Sequence, residues 1–129
     1  MLNFRKETEL AIQLLKSLSL KSAQPTSLKE ISDELDVSFL FLQKIARKLK
    51  AGNLIKAIQG VKGGYILVDK KKELNLLDII EIMEDQCTLL KCMRIKTCKK
   101  YKKCSTRIEL AKLNKKIVKL IETVKLKNL

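Results

Sequence analysis

Cys92, Cys98 and Cys104 stand at equal intervals, with five residues between each and the next, in a chain of 129 residues that contains no histidine. A structural zinc site usually draws on closer Cys-x2-Cys or Cys-x4-Cys pairs, often completed by histidine, so this spacing disfavours a zinc knuckle. Thiolates are soft ligands suited to iron-sulfur centres, and three of them leave such a centre one ligand short of the usual four. Lys91, Arg94, Lys96, Lys99, Lys100, Lys102 and Lys103 crowd the same stretch. Their charge favours thiolates and can offset an anionic cluster; their plainer role is as solvated lysines that also meet phosphate. Cys87 lies outside the triplet, just past an apolar segment. It reads first as a small buried hydrophobe, with a substitute ligand or a resolving thiol as its other uses.

The elements that must position these thiols follow from periodicity. Leu10, Ala11, Leu14, Leu15 and Leu18 recur at helical spacing and predict a first helix over about residues 7–20. Residues 22–26, which hold the only proline, break it. Ser27-Leu28-Lys29-Glu30 then has the form of a capping box, with Leu28, Ile31 and Leu35 inward on a short second helix. Asp36-Val37-Ser38 makes a tight turn, and Ser38 caps a third helix to about Lys50 with Leu42, Ile45, Ala46 and Leu49 as its stripe. Two short helices across a three-residue turn are a helix-turn-helix. Residues 54–58 and 65–68 read as strands joined by the Gly60-Val61-Lys62-Gly63-Gly64 reversal, which makes a wing. Asn75 and Asp78 open a helix through Met83 that buries Leu76, Ile79, Ile80 and Met83. Residues 86–104 have little apolar periodicity and many lysines, and read as a loop with room for one helical turn. Beyond it, Leu110, Leu113, Ile117, Leu120 and Val124 alternate three and four apart, the seam of a helix that packs along a partner helix.

The expected fold is therefore mainly α with a small β-hairpin wing, a winged helix-turn-helix plus a long C-terminal dimerisation helix. Its expected parts are a DNA-binding domain over 1–84, a cysteine loop over 85–104 and a dimerisation helix over 105–129. With 28 Lys and Arg against 14 Asp and Glu, the net charge of +14 points to a polyanionic partner. In a winged helix-turn-helix the third helix enters the major groove. Its outer face carries Ser38, Leu40, Gln43, Lys44 and Arg47. Gln43 can bond adenine with both ends of its amide, Leu40 can touch a thymine methyl, and Lys44 and Arg47 suit guanine or phosphate. Lys56 and Lys62 add charge at the wing. No signal peptide or membrane-length apolar run is evident, so a cytoplasmic protein is expected, where disulfides are rare. No catalytic constellation or nucleotide-binding loop is present, which argues against an enzyme and against a small-molecule substrate.

The segments Ser27-Leu28-Lys29-Glu30-Ile31, Leu49-Lys50-Ala51-Gly52, Gly60-Val61-Lys62-Gly63-Gly64-Tyr65 and Leu76-Leu77-Asp78-Ile79-Ile80, with the cysteine triplet, together resemble the Rrf2 family of bacterial winged-helix transcription regulators. The resemblance covers almost the whole chain. It implies a homodimer, a repressor before an activator, whose occupancy of a double-stranded DNA operator depends on an iron-sulfur cluster sensing nitric oxide, redox or iron-sulfur status. It puts Ser38, Leu40 and Gln43 where members contact DNA. Members often carry arginine directly before the wing's first glycine, where this chain has Gln59, so a different sequence preference is expected. The triplet carries over as the metal ligands Cys92, Cys98 and Cys104. IscR-like members have a histidine three residues after the last cysteine, a position held here by Arg107. NsrR-like members have a Thr-Asp pair entering the first helix, whose aspartate reaches the cluster of the other subunit. Thr8-Glu9-Leu10-Ala11 matches that pattern with glutamate, which implies Glu9 as the fourth ligand of a two-iron or four-iron cluster. A carboxylate is harder than a thiolate and leaves one labile corner. The alternative is a cluster-free winged-helix regulator controlled by cysteine thiol redox or by a protein partner.

Overall fold

A computed structural model describes residues 3–21, 24–68, 73–85, 87–90 and 99–129. Helix α1, Lys6–Leu20, is the axis of the core. Leu10, Ala11, Leu14, Leu15 and Leu18 are all buried, as the stripe predicts, and they pack with Ile31, Leu42, Ile45, Leu49, Ile79 and Met83 in one cluster. Helix α2, Leu28–Leu35, starts where Ser27 Oγ accepts from the Glu30 N–H at 3.2 Å. The reciprocal half of the expected box is replaced. Glu30 turns its carboxylate to Lys21 Nζ at 3.4 Å, and the same ammonium meets Glu34 at 2.7 Å. A charge-assisted bond to a cation outweighs one to a neutral backbone amide. This pairing ties the end of α1 to α2.

Asp36 takes the left-handed conformation (φ 53°), which lets the Val37 N–H reach back to the Ser32 carbonyl at 3.0 Å and closes α2 in a short turn. Ser38 Oγ then accepts from the Phe41 N–H, opening α3, Phe39–Ala51, whose stripe Leu42, Ile45, Ala46 and Leu49 is fully buried. Left-handed Asn53 ends α3, and β1, Ile55–Ile58, runs out to pair antiparallel with β2, Gly64–Leu67, from Ile55 opposite Leu67 to Ile58 opposite Gly64. The loop ahead of α2 adds one more rung: Thr26 and Tyr65 exchange both backbone bonds, at 3.1 and 2.8 Å. The wing is thus stitched to the helix-turn-helix.

Helix α4, Leu76–Met83, has a complete capping box in which Asn75 Oδ1 accepts from the Asp78 N–H and Asp78 accepts from the Asn75 N–H, at 2.9 and 3.3 Å. Ile79, Ile80 and Met83 are buried, and Leu76 is half-buried. Helix α5, Ser105–Thr123, lies along α4. It stops short of the chain's end. The Leu76 N–H donates to Val124 and the Leu126 N–H donates to Leu74, both at 2.8 Å, so residues 124–126 return to the start of α4. Leu126, in a 3-10 turn over Leu126–Asn128, is 4% exposed inside the main core.

The five-residue seam of α5 divides. Leu110, Ile117 and Val124 are half-buried, whereas Leu113 and Leu120 are 45% and 68% exposed and Ile108 is exposed beside them. A helix on one chain can shield only one side of such a seam, and α4 takes the side nearer to it.

Candidate nucleic-acid interface and sensor segment

The surface of α3 and the wing is assembled from residues at two caps and one hairpin. Ser38 spends its hydroxyl on the N-cap, Leu40 in the first turn is 74% exposed, and Arg47 is exposed on the same helix. Gln43 is half-buried and lines an open concavity of about 500 Å³ between α3 and the wing, whose walls include Ser27, Lys29, Phe39, Gln59 and Tyr65. Lys56, Gln59 and Lys62 are exposed along β1 and the hairpin turn. Phe39, Ile58 and Val61, exposed on the same two elements, add apolar surface beside the expected readers. A concavity lined by the amides of Gln43 and Gln59, the ammonium of Lys29 and apolar side chains, with Arg47, Lys56 and Lys62 exposed on the elements that frame it, suits the edges and backbone of a duplex.

Two glycines make the hairpin possible. A Cβ on Gly63 would lie 2.4 Å from the Ile58 carbonyl oxygen, and one on Gly64 (φ 156°) would lie 2.5 Å from the Thr26 carbonyl. Only glycine allows both approaches.

Lys44 does not point freely outward. Its ammonium bonds Glu7 of α1 at 2.9 Å, and Lys48, one turn on, bonds the other oxygen of the same carboxylate at 3.1 Å. The two hydrogen bonds hold the Glu7 carboxyl below the usual range, Lys44 contributing the larger part. Next in sequence, Thr8 is buried and donates its hydroxyl to Glu84, which also accepts from the Arg5 N–H at 2.9 Å and pairs with the Arg5 guanidinium at 3.2 Å. Glu84 sits just past α4, at the entry to the cysteine stretch, and satisfies donors at the start of α1. Glu9 then faces solvent, paired with Lys6 of its own turn at 3.0 Å. Three successive residues of α1 thus point to the reading helix, the end of α4 and the outside.

Of the triplet, Cys92 and Cys98 lie outside the described residues, as do Lys91, Arg94 and Lys96. Cys104 is half-buried at the N-cap position of α5. Among the described residues no group of three or more His, Cys, Asp or Glu could hold a metal. The donor set of three thiolates and one carboxylate is, by its chemistry, one that iron accepts. Cys87 is half-buried, and burial together with the charge of Glu81 pushes its thiol up. Its carbonyl accepts from Asn114 Nδ2 at 3.2 Å while the Leu89 N–H donates to Asn114 Oδ1 at 2.8 Å, so one amide of α5 holds the start of the cysteine stretch. Arg107 stacks 4.2 Å over the Tyr101 ring and donates to the Tyr101 carbonyl at 2.7 Å, fastening the other end. Glu7, Glu84 and Asn114 escape a reading of the sequence. Asn114 alone leaves a trace, as an amide between apolar helix positions.

Solved structures with this architecture include CymR (YrzC), the global cysteine regulator of B. subtilis. It superposes with a TM-score of 0.79 over 99% of this chain and 95% of that one, at 21% identity. The IscR of T. potens superposes with a TM-score of 0.76 over 98% and 85% of the two chains, at 23% identity. Both likenesses are of fold. In sequence, the HTH-type transcriptional regulator NsrR of Oceanobacillus iheyensis is 32% identical over 92 residues, 70% of this chain and 63% of that protein. The chain spans about half the length of some curated regulators it matches, 54% and 55% in two cases. A family profile described as an iron-dependent transcriptional regulator, Rrf2, matches residues 4–129. With that match running from α1 to the returning tail of a winged helix-turn-helix, the chain belongs to the Rrf2 family.

Proposed function

We propose that this regulator binds its operator as a homodimer and that an iron-sulfur cluster controls that binding. Ser38, Leu40, Gln43 and Arg47 read or clamp the major groove, and Lys56, Gln59 and Lys62 follow the backbone beside the wing. The exposed seam residues Leu113 and Leu120 meet their counterparts on a second α5. Cys92, Cys98 and Cys104 hold the cluster, and Glu9 reaches it from the other copy. When bound, the cluster supplies a redox- and nitric-oxide-reactive centre with one weakly held corner.

The observation that carries this reading is the outward Glu9, on a helix turn whose neighbour Thr8 is fixed to Glu84. A ligand on that turn couples an event at the cysteines to α1, and hence to the core under α3. Such coupling requires contacts that differ between two states. We place the protein in the cytoplasm with its DNA; among the described residues no helix is long and apolar enough to cross a membrane.

Protein purified without air tests the reading through its visible and electron-paramagnetic spectra, together with operator binding before and after nitric oxide. Iron-dependent absorption is expected, lost when the three triplet cysteines become serine and destabilised by Glu9→Ala. A colourless, iron-free protein that still binds DNA and still responds to thiol oxidants would put the cluster-free reading in its place.

A further inference from the structure

Glu7 occupies the position of an anion between two lysines of the reading helix. Its side chain is 19% exposed, against 60% for Lys44 and 38% for Lys48. The carboxylate therefore lies behind the ammonium groups, and an approaching polyanion meets the lysines first. The two lysines sit one turn apart on α3 and take one carboxylate oxygen each, leaving an excess of one positive charge at the cluster. Lysine stems are flexible and their ammonium groups have no fixed geometry, so both can swing to a new acceptor. Glu7 cannot follow, because Arg5 and Thr8 on the same turn are bound to Glu84.

We propose that Glu7 is an internal competitor for DNA phosphate, one that sets the affinity and salt dependence of this regulator by holding Lys44 and Lys48 until phosphates displace it. The proposal rests on the DNA-binding reading and adds the residue that meters it. In the free protein Glu7 stands in for one of the counterions that the two lysines would otherwise hold. On the duplex they move to phosphate, DNA counterions leave, and the uncovered carboxylate takes up a cation from solution. The net ion release is smaller than the number of phosphate contacts by about one.

The test is binding of the full chain to a mixed-sequence DNA duplex across a salt series, for wild type, Glu7→Gln and Glu109→Gln. Glu109 is an exposed carboxylate of α5 paired with Lys112, so its substitution makes the same change in net charge away from α3. Glu7→Gln is expected to bind several-fold more tightly at low salt, with the slope of log K against log salt steeper by about one. Glu109→Gln is expected to leave the slope at the wild-type value. An equal change in both variants, an unchanged slope in Glu7→Gln, or weaker binding by it would overturn the proposal. Should Glu7→Gln fail to fold by circular dichroism, the Lys44→Gln, Lys48→Gln double variant decides: a shallower slope supports the exchange, and an unchanged slope overturns it. If wild type itself shows no salt-sensitive DNA binding, the failure belongs to the DNA-binding reading and removes the proposal with it.

Discussion

At Gly64 the wing meets the loop ahead of α2 with no space for a side chain, the Thr26 carbonyl lying 2.5 Å from where a Cβ would be. Gly64→Ala must break the Thr26–Tyr65 rung or force strained backbone, at a cost of about 1–3 kcal/mol. A fall in the thermal midpoint together with weaker DNA binding is expected; an unchanged midpoint would show that the rung is dispensable. Cys87 makes a different prediction. Burial and the Glu81 charge raise its thiol above the ordinary value, so the reactive thiolate forms only at higher pH in the folded chain than in the unfolded one. Alkylation of Cys87 followed by peptide mass spectrometry should therefore be slower in native than in denatured protein, with its pH profile displaced to alkaline values. Both residues were visible in sequence as types, a reversal glycine and a thiol beside an apolar helix. What surrounds them was not, because Thr26 is distant from Gly64 in the chain and Asn114 is distant from Cys87.

Helices and strands were the legible layer. Ser27, Ser38 and Asn75 cap α2, α3 and α4 as expected because a cap acts within three residues of itself. The stripes of α1 and α3 are buried as their spacing demands. Periodicity does not say what covers a stripe, and α5 shows the consequence. Its seam is one pattern in sequence but two surfaces in the fold, one against α4 and one carrying Leu113 and Leu120 outward. Contacts between elements were likewise illegible: Glu7 with Lys44 and Lys48, and Thr8 with Glu84, join residues far apart in the chain. If Leu113 and Leu120 form the dimer face, replacing both with glutamate should weaken dimerisation by at least about tenfold per residue, the equivalent of burying one aliphatic side chain. Sedimentation would show monomers with unchanged helical content, since neither residue supports the monomer core. Dimers persisting at the same concentration would move the interface elsewhere.

Across the whole molecule, the head and the tail beyond the long helix share one core, for Leu126 is packed with residues of α1, α3 and α4. Leu126→Ala is expected to cost about 2–5 kcal/mol in chemical denaturation, as for other buried leucines, although it lies three residues before Leu129. A loss below about 1 kcal/mol would mean that the tail is a loosely held appendage. The same tail makes residues 75 and 125 a clasp, since the backbone bonds flanking them join the chain before and after the cysteine stretch. The chain from 76 to 124 is thereby closed on itself, and α4 and Asn114 hold it at further points. A protease cut within that loop, between Cys87 and Cys104, would leave two fragments that still travel together on a native gel and separate only in denaturant.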